Sequence, residues 1–378
     1  MISTTLCKSC NACAAACPQN AISLLDNSQG FKRVNIDDNK CIGCGICEKV
    51  CSATEEDLLF HKNITVYAAK SLSEKVRLQS RSGGIFYELA KDILVNGGVV
   101  YGAALVDNGA RHIRLETVDE LSKICGSKYV WSTHEDCFSV VVNDLKSNRQ
   151  VLFSGLPCQI AGLKAYLNND GIQNDNLILC DIICHGVSSP KLLKDYLEYM
   201  EKKYKEKVIK FDFRNKINFG WKAHLESVYF RNKTLHTDMW TNLFYSHLSL
   251  RSSCFTCRYK STERVGDISL GDCWNIEKTD SCLNDDNGAS LVLLNTEKGK
   301  HLFERLQTVY MEEISLSDYM QPALFRSVEK PDNYDDFWRN YTEQGFSYIL
   351  KTYAGNNFKG RMRTRIKVLY YKYKRGKL

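Results

Sequence analysis

VLFSGLPCQIAGLKAYL, residues 151–167, is the stretch on which the fold turns. Val151 to Ser154 is an apolar strand, Gly155-Leu156-Pro157-Cys158 a turn, and Gln159 to Leu167 a helix. Pro157 suits a first helical turn, where its missing N–H has no partner to lose. The same unit recurs downstream. Leu177 to Cys184 reads as a strand, His185-Gly186-Val187-Ser188-Ser189-Pro190 as a turn, and Lys191 to about Lys203 as a helix with Ser189 as its N-cap. Upstream, Ile85, Phe86, Leu89, Ala90, Ile93 and Leu94 share one helical face within 83–95. Ser82-Gly83-Gly84 opens that helix, Asn96-Gly97-Gly98 closes it, and a strand follows over Val99 to Val106.

Repeated strand–turn–helix units imply parallel strands joined by helical crossovers. Cys158 and Cys184 then lie at the C-terminal ends of strands, the edge where open α/β sheets bind ligands. Ser82-Gly83-Gly84 is a candidate phosphate loop, because small residues let an anion approach the amides at a helix start. Cys158 at a helix start, with His185 on the neighbouring strand end, also allows a nucleophilic thiol. That reading gives the N-terminal cysteines no purpose.

Those cysteines form two runs. The first is Cys7-x2-Cys10-x2-Cys13-x3-Cys17-Pro18, and the second Cys41-x2-Cys44-x2-Cys47-x3-Cys51. This is the bacterial ferredoxin spacing for two 4Fe-4S clusters, in which the fourth Cys of each run ligates the other cluster. Cys7, Cys10, Cys13 and Cys51 are therefore assigned to one cluster, and Cys41, Cys44, Cys47 and Cys17 to the second. Zinc sites favour separated C-x2-C pairs and fit two complete runs poorly. Downstream stand Cys254-x2-Cys257 and Gly271-Asp272-Cys273-Trp274. That C-x2-C either pairs with Cys273 and another thiol in a zinc ribbon or joins Cys158 and Cys184 at a third cluster. Most of the rest, among Cys125, Cys137, Cys180, Cys273 and Cys282, read as ordinary buried thiols.

The 378 residues contain 17 Cys, and the chain is too long for a small disulfide scaffold. The start, MISTTLCKSC, lacks a basic segment followed by an apolar one, so no secretory signal is expected there. Reduced thiols and a cytoplasmic location are the expectation. No apolar run reaches the roughly 18–20 residues of a membrane span. The formal charge of +7 is uneven. Gln344 to Leu378 has no acidic residue and ten Lys or Arg, leaving the rest mildly acidic. This tail is either a solvated C-terminus packed on the acidic body or a contact for an acidic partner or anionic lipid, with peripheral attachment to the inner membrane. As a helix it would spread charge around most of its circumference; as a strand it would separate a basic face from a more apolar one.

Eight segments together resemble the beta subunits of deazaflavin coenzyme F420 hydrogenases and dehydrogenases, over about residues 1–310. They are SRSGGIFYELA (80–90), GSKYVWS (126–132), LFSGLPCQIAGL (152–163), CHGVSSPKL (184–192), FRNKINFGWK (213–222), SCFTCRYK (253–260), GDISLGDCW (266–274) and DDNGASLVLLNT (285–296). The GLPCQ, CHGVSSP and LGDCW forms look most like bacterial relatives found beside surface-polysaccharide genes. The resemblance implies a two-cluster ferredoxin domain followed by a mixed, partly parallel α/β flavin-binding domain. It implies a third 4Fe-4S cluster on Cys158, Cys184, Cys254 and Cys257; the sequence leaves open whether Cys273 or Cys180 replaces one of these. It implies a flavin, FAD rather than FMN, near Ser82, Gly83, Gly84, Gly102, Lys128, Gly155 and Pro157. Lys128 would then stabilise the negative reduced flavin.

The expected organisation is a ferredoxin domain at 1–60, the first part of the beta-subunit region at 61–145, its flavin and third-cluster part at 146–320, and the basic tail at 321–378. The expected function is an iron–sulfur, flavin-dependent oxidoreductase working with a redox partner protein or a soluble electron carrier, and not with nucleic acid. The alternatives are a non-catalytic electron-transfer subunit that reduces a partner enzyme, such as one of a surface-polysaccharide pathway, and a purely structural cluster protein.

Overall fold

A computed structural model describes residues 6–53, 60–62, 65–134, 136–278 and 281–376. Met1–Thr5 of the non-signal start, 54–59 at the end of the expected first domain, and the last two tail residues lie outside the described residues.

The N-terminal region is an antiparallel hairpin, β1 (Ile22–Asp26) and β2 (Lys32–Ile36), flanked by two short helical turns at Ala12–Ala15 and Ile46–Lys49. Then come β3 (Thr65–Ser71), β4 (Val99–Val106), β5 (Gly109–Leu115), β6 (Ser132–Thr133), β7 (Val151–Gly155) and β8 (Leu177–Ile182). A small antiparallel sheet follows, of β9 (Val208–Asp212), β10 (Glu226–Phe230) and β11 (Thr234–Thr237). The last strands are β12 (Ile268–Asp272), β13 (Ser290–Leu294) and β14 (Val309–Glu313).

The large sheet runs β14-β3-β13-β12-β8-β7-β4-β5-β6. Its middle, β12-β8-β7-β4, is parallel throughout. Around it, β4–β5, β12–β13, β13–β3 and β3–β14 are antiparallel. The expected mixed, partly parallel sheet is thus present, and strands from both 61–145 and 146–320 interleave in it. The helices Ile85–Val95, Pro157–Asn169 and Pro190–Tyr204 agree with the sequence to within two residues at most ends. Ser189 caps the last by accepting the Leu192 amide at 3.3 Å. The strand expected to reach Cys184 ends at Ile182. Ile183 still donates to Leu270 O, after which the chain leaves the sheet and carries Cys184 off its edge.

The N-terminal region is built into the body. Ala12, Cys13 and Val50 share one core with Phe153, Ile160, Leu163 and Phe138. Ser189 Oγ donates to Gln29 O in the hairpin turn. The tail is a helix, Phe358–Lys374. One face docks: Val368 and Tyr371 pack on Phe219, Ala223 and Leu225, Thr364 Oγ1 donates to Asp238 at 2.7 Å, and Lys367 Nζ pairs with the same carboxylate at 3.2 Å.

Candidate functional site

The C-terminal ends of β7, β8 and β12 border a cleft of about 300 Å³. Ser154 and Gly155 come from β7, Ile182 and Ile183 from β8 and its end, and Gly271 and Asp272 from β12. Across from them are Ser82 and Gly84, Gly102 on β4, and Lys128. Gly84 precedes the Ile85 helix with φ of +89°, a conformation that a side chain disfavours. Five of the seven residues expected around a flavin therefore line this cleft. Gly83 does not: its amide donates to Ser290 Oγ at 3.0 Å, and a Cβ there would stand 2.3 Å from Ala69 O. That amide is spent on sheet packing rather than presented to a phosphate. Pro157 lines a second cavity instead, beside Cys158.

Burial, opposed by Cys125 and Asp212, pushes the Lys128 ammonium down to about 8, and its Nζ donates to Cys125 O at 2.7 Å. It is still largely cationic at neutral pH. The unfolded chain holds this proton more tightly, so stability should rise as pH increases from about 8 toward the ordinary lysine value of 10.5. The contribution is at most roughly 3 kcal/mol, reduced by solvent screening because the amine is only half-buried at the cleft wall. Chemical unfolding of the chain and of Lys128→Met at both ends of that window should show the slope reduced in the variant. Equal slopes would remove Lys128 from the account.

Further polar groups line the cleft. His112 Nε2 donates to Ser154 O at 2.9 Å, its ring stacks on Phe153, and burial pushes it down to about 3, so it is neutral. Gln159 accepts the Leu156 amide at 3.0 Å and donates to Ser132, which fixes the turn before the Pro157 helix. Arg81 pairs with Asp272 at 2.9 Å, while its buried Nε has no hydrogen-bond partner among the described residues. The lining is otherwise mostly apolar, with Phe86, Ile124, Leu156 and Leu270 among it. This suits a flat ring with polar edges.

The second cavity gathers Cys158, Cys184, Cys254 and Cys257. Cys158 lies in the first turn of the Pro157 helix, Cys184 follows β8, Cys254 ends a single-turn helix at Ser252–Cys254, and Cys257 follows that turn. Lys260 Nζ donates to the carbonyl of Cys184. Cys180 is buried instead in the core that also holds Ile178 and Leu270, and Cys273 in another with Trp221. Burial raises the Cys158 thiol well above its ordinary value, overriding the helix start, and His185 engages His247 rather than Cys158. The nucleophilic-thiol reading therefore fails on its first requirement.

Arg251 walls the same cavity. It is 1% exposed, and its Nε and Nη2 have no hydrogen-bond partner among the described residues. Its guanidinium lies 4.0 Å from the Trp131 ring centroid, and Nη1 donates to Lys8 O. A buried, under-satisfied cation is costly unless an anion faces it. Four thiols with such a cation form a donor set fit for an anionic cluster.

A third cavity is lined by Cys7, Cys10, Cys13 and Cys51, the four residues expected to share one N-terminal cluster. Burial raises the Cys10 and Cys13 thiols, and Ser52 Oγ donates to Cys10 Sγ at 3.3 Å. The other N-terminal set lies outward: Cys41 and Cys44 are exposed, and Cys17 and Cys47 half-buried. Among the described residues no three His, Cys, Asp or Glu stand close enough to hold a single metal ion.

The three cavities adjoin. Lys8 lines both four-thiol cavities, and Leu156 lines both the Cys158 cavity and the cleft. Cys158 and Gly162 are one helical turn apart. A Cβ on Gly162 would stand 2.7 Å from Cys10 Cβ and 2.9 Å from its Sγ.

Sequence reasoning missed Arg251, Lys8, Leu156 and Gly162. Gly162 did carry a signal, since a glycine inside a helix costs about 1 kcal/mol against alanine and asks for a reason. Arg251, three residues before Cys254, carried a weaker one.

Cavities walled by cysteine and joined to a ligand-sized cleft fit an iron–sulfur electron-transfer protein of oxidoreductase type, the class that two family matches and a curated relative support. Residues 148–318 match the family model for the C terminus of the coenzyme F420 hydrogenase/dehydrogenase beta subunit, and residues 6–54 match that of the 4Fe-4S dicluster domain. The chain joins these two family regions. It is 24% identical to a coenzyme F420-dependent sulfite reductase of Methanocaldococcus jannaschii, over 95% of this chain and 56% of that protein. It thus spans little more than half the length of that curated relative. A solved chain of the xenon-derivatised F420-reducing NiFe hydrogenase complex from Methanosarcina barkeri matches with a TM-score of 0.48 and 18% identity, over 79% of this chain and 94% of that one. Among the described residues no helix is long and apolar enough to cross a membrane.

Proposed function

We propose that the chain is an iron–sulfur flavoprotein oxidoreductase of the cytoplasm. In this reading residues 1–60 hold two 4Fe-4S clusters, one on Cys7, Cys10, Cys13 and Cys51 and one on Cys41, Cys44, Cys47 and Cys17. Residues 61–145 and 146–320 build the cleft for a flavin, FAD in preference to FMN, and a third cluster on Cys158, Cys184, Cys254 and Cys257; 321–378 is the tail. Such a flavin exchanges hydride with a carrier and single electrons with clusters. The observation that carries the proposal is the shared wall: Lys8 between the two four-thiol cavities, and Leu156 between the Cys158 cavity and the cleft.

The chain's own residues serve this chemistry. Lys128 supplies positive charge at the cleft, His112 stays neutral, and Gln159 fixes the turn between cleft and thiols. The apolar wall limits water. The family match and the relative's name favour a deazaflavin coenzyme as the hydride carrier. Sulfite reduction is not carried over, since the chain spans only part of that relative. The exposed Cys41 and Cys44 favour a second role for the same chain, delivering electrons to a docked partner protein.

Anaerobic purification with iron, sulfide and flavin analysis tests the reading, followed by mixing with reduced deazaflavin coenzyme. About twelve irons and one flavin per chain are expected, with flavin absorbance bleached by the coenzyme. Absence of flavin after anaerobic reconstitution would overturn the oxidoreductase assignment. Flavin that ignores the coenzyme but, once reduced, is reoxidised by a partner protein would select the electron-transfer role.

Arg251→Met gives a further check. Removing the buried cation should stabilise the metal-free chain, where the thiols are protonated and Arg251 is unmatched. In the cluster-loaded chain it should lower the reduction potential of the cluster beside it, because net charge near a cluster helps set its potential. Opposite signs in thermal midpoint and potential are the expected pattern. An unchanged potential would place the third cluster away from Arg251.

A further inference from the structure

The outward face of the C-terminal helix is an apolar stripe bordered by cations. At 100° per residue, Phe358, Met362, Ile366, Leu369, Tyr370 and Tyr373 fall within an arc of about 120°, interrupted in the first turn by the exposed Lys359. All six are exposed; Phe358 is 78% exposed, Tyr373 76% and Ile366 64%. The opposite arc is the docked one, with Thr364, Lys367, Val368 and Tyr371. Arg361, Arg365 and Lys372 border the stripe on one side, and Arg363 and Lys374 on the other. The helix contains no Asp or Glu. The basic residues do surround much of the helix, as the sequence suggested, but docking selects an outward surface whose centre is apolar.

We propose that this face lies in the plane of an anionic lipid surface, apolar stripe down and cations at headgroup level. A helix of 17 residues gives a contact about 25 Å long. Aromatic and aliphatic side chains enter the acyl boundary, while Arg and Lys extend sideways to the phosphates. A second copy is a poor occupant, since two such faces would bring like charges together along their whole length. The docked face fixes the orientation: Lys367 and Thr364 on Asp238 and Arg375 beside Asn287 hold the helix to the body with the stripe outward. This inference does not depend on the redox reading, because its test measures binding without turnover.

The test is co-sedimentation of the full chain, as purified, with vesicles of phosphatidylglycerol and phosphatidylcholine, and with vesicles of phosphatidylcholine alone. Two double variants accompany it: Ile366→Asp with Leu369→Asp, and Arg361→Gln with Arg365→Gln. All four positions are exposed, so folding should survive, which a matching thermal midpoint verifies. Binding to the anionic vesicles that falls with salt, and falls by roughly tenfold or more in each double variant, supports the proposal. Absence of binding by the intact chain at low salt overturns it and leaves an acidic protein as the occupant. Undiminished binding by the Ile366→Asp, Leu369→Asp variant also overturns it, reducing the contact to unspecific charge attraction.

Discussion

Replacing Cys254 and Cys257 together by serine should lower the iron of the anaerobically purified chain from about twelve atoms to about eight, since each four-iron cluster needs four thiolates. The N-terminal sets should keep theirs, because Cys254 and Cys257 wall a different cavity from Cys7, Cys10, Cys13 and Cys51. Flavin should remain bound, since Leu156 separates the cleft from the altered thiols. Exchange of electrons between flavin and the remaining iron should slow by orders of magnitude. Full iron in the double variant would move the third cluster elsewhere, and Cys180 or Cys273 would return as ligands despite their present burial in separate cores.

Gly162→Val should be strongly damaging although it replaces no cysteine. Its Cβ alone would stand 2.7 Å from Cys10 Cβ, closer than real Cβ contacts come, and the helix backbone behind it cannot retreat without moving Cys158. Overpacking of this kind costs about 1–3 kcal/mol. Here the cheapest relief is displacement of the loop that carries Cys10. The expected result is loss of the Cys7, Cys10, Cys13 and Cys51 cluster, read as about four missing irons, together with a lower thermal midpoint. Gly162→Ala should show the same loss in milder form. A fully loaded, stable Gly162→Val chain would mean that the N-terminal region sits further from this helix than the structure places it.

What the sequence displays is local. The 151–167 unit was legible because an apolar run, a Gly-Leu-Pro turn and a helical stretch follow one another without interruption. Ser189 was legible as a cap because its neighbour Pro190 fixes the helix start. The pairing of strands was not. β3 lies between β13 and β14, which come from the far end of the chain, and nothing in Thr65–Ser71 names those partners. The convergence of Cys158, Cys184, Cys254 and Cys257 came from a family resemblance, since spacing alone left a zinc ribbon open. Gly83 misled: its glycine serves close packing on Ala69 and Ser290, which in sequence looks the same as a phosphate loop. The tail's outward stripe was hidden because charge is spread along it, and only the contact of Val368 and Tyr371 with the body shows which face is left over.

Air should not treat the three thiol sets alike. Dioxygen reaches what solvent reaches. Cys41 and Cys44 stand open at the rim, beside Ile42, which is 65% exposed. Cys7 and Cys13 are buried, and Cys158 is half-buried in the cavity it shares with Leu156, Arg251 and Tyr259. Corrosion of a metal-loaded chain should therefore begin at the Cys41 loop and work inward, the rim being sacrificed first. A sample left in air would lose its outer terminal while its interior stayed whole. Such a molecule fails in stages, cut off from outside partners before its own cleft is damaged.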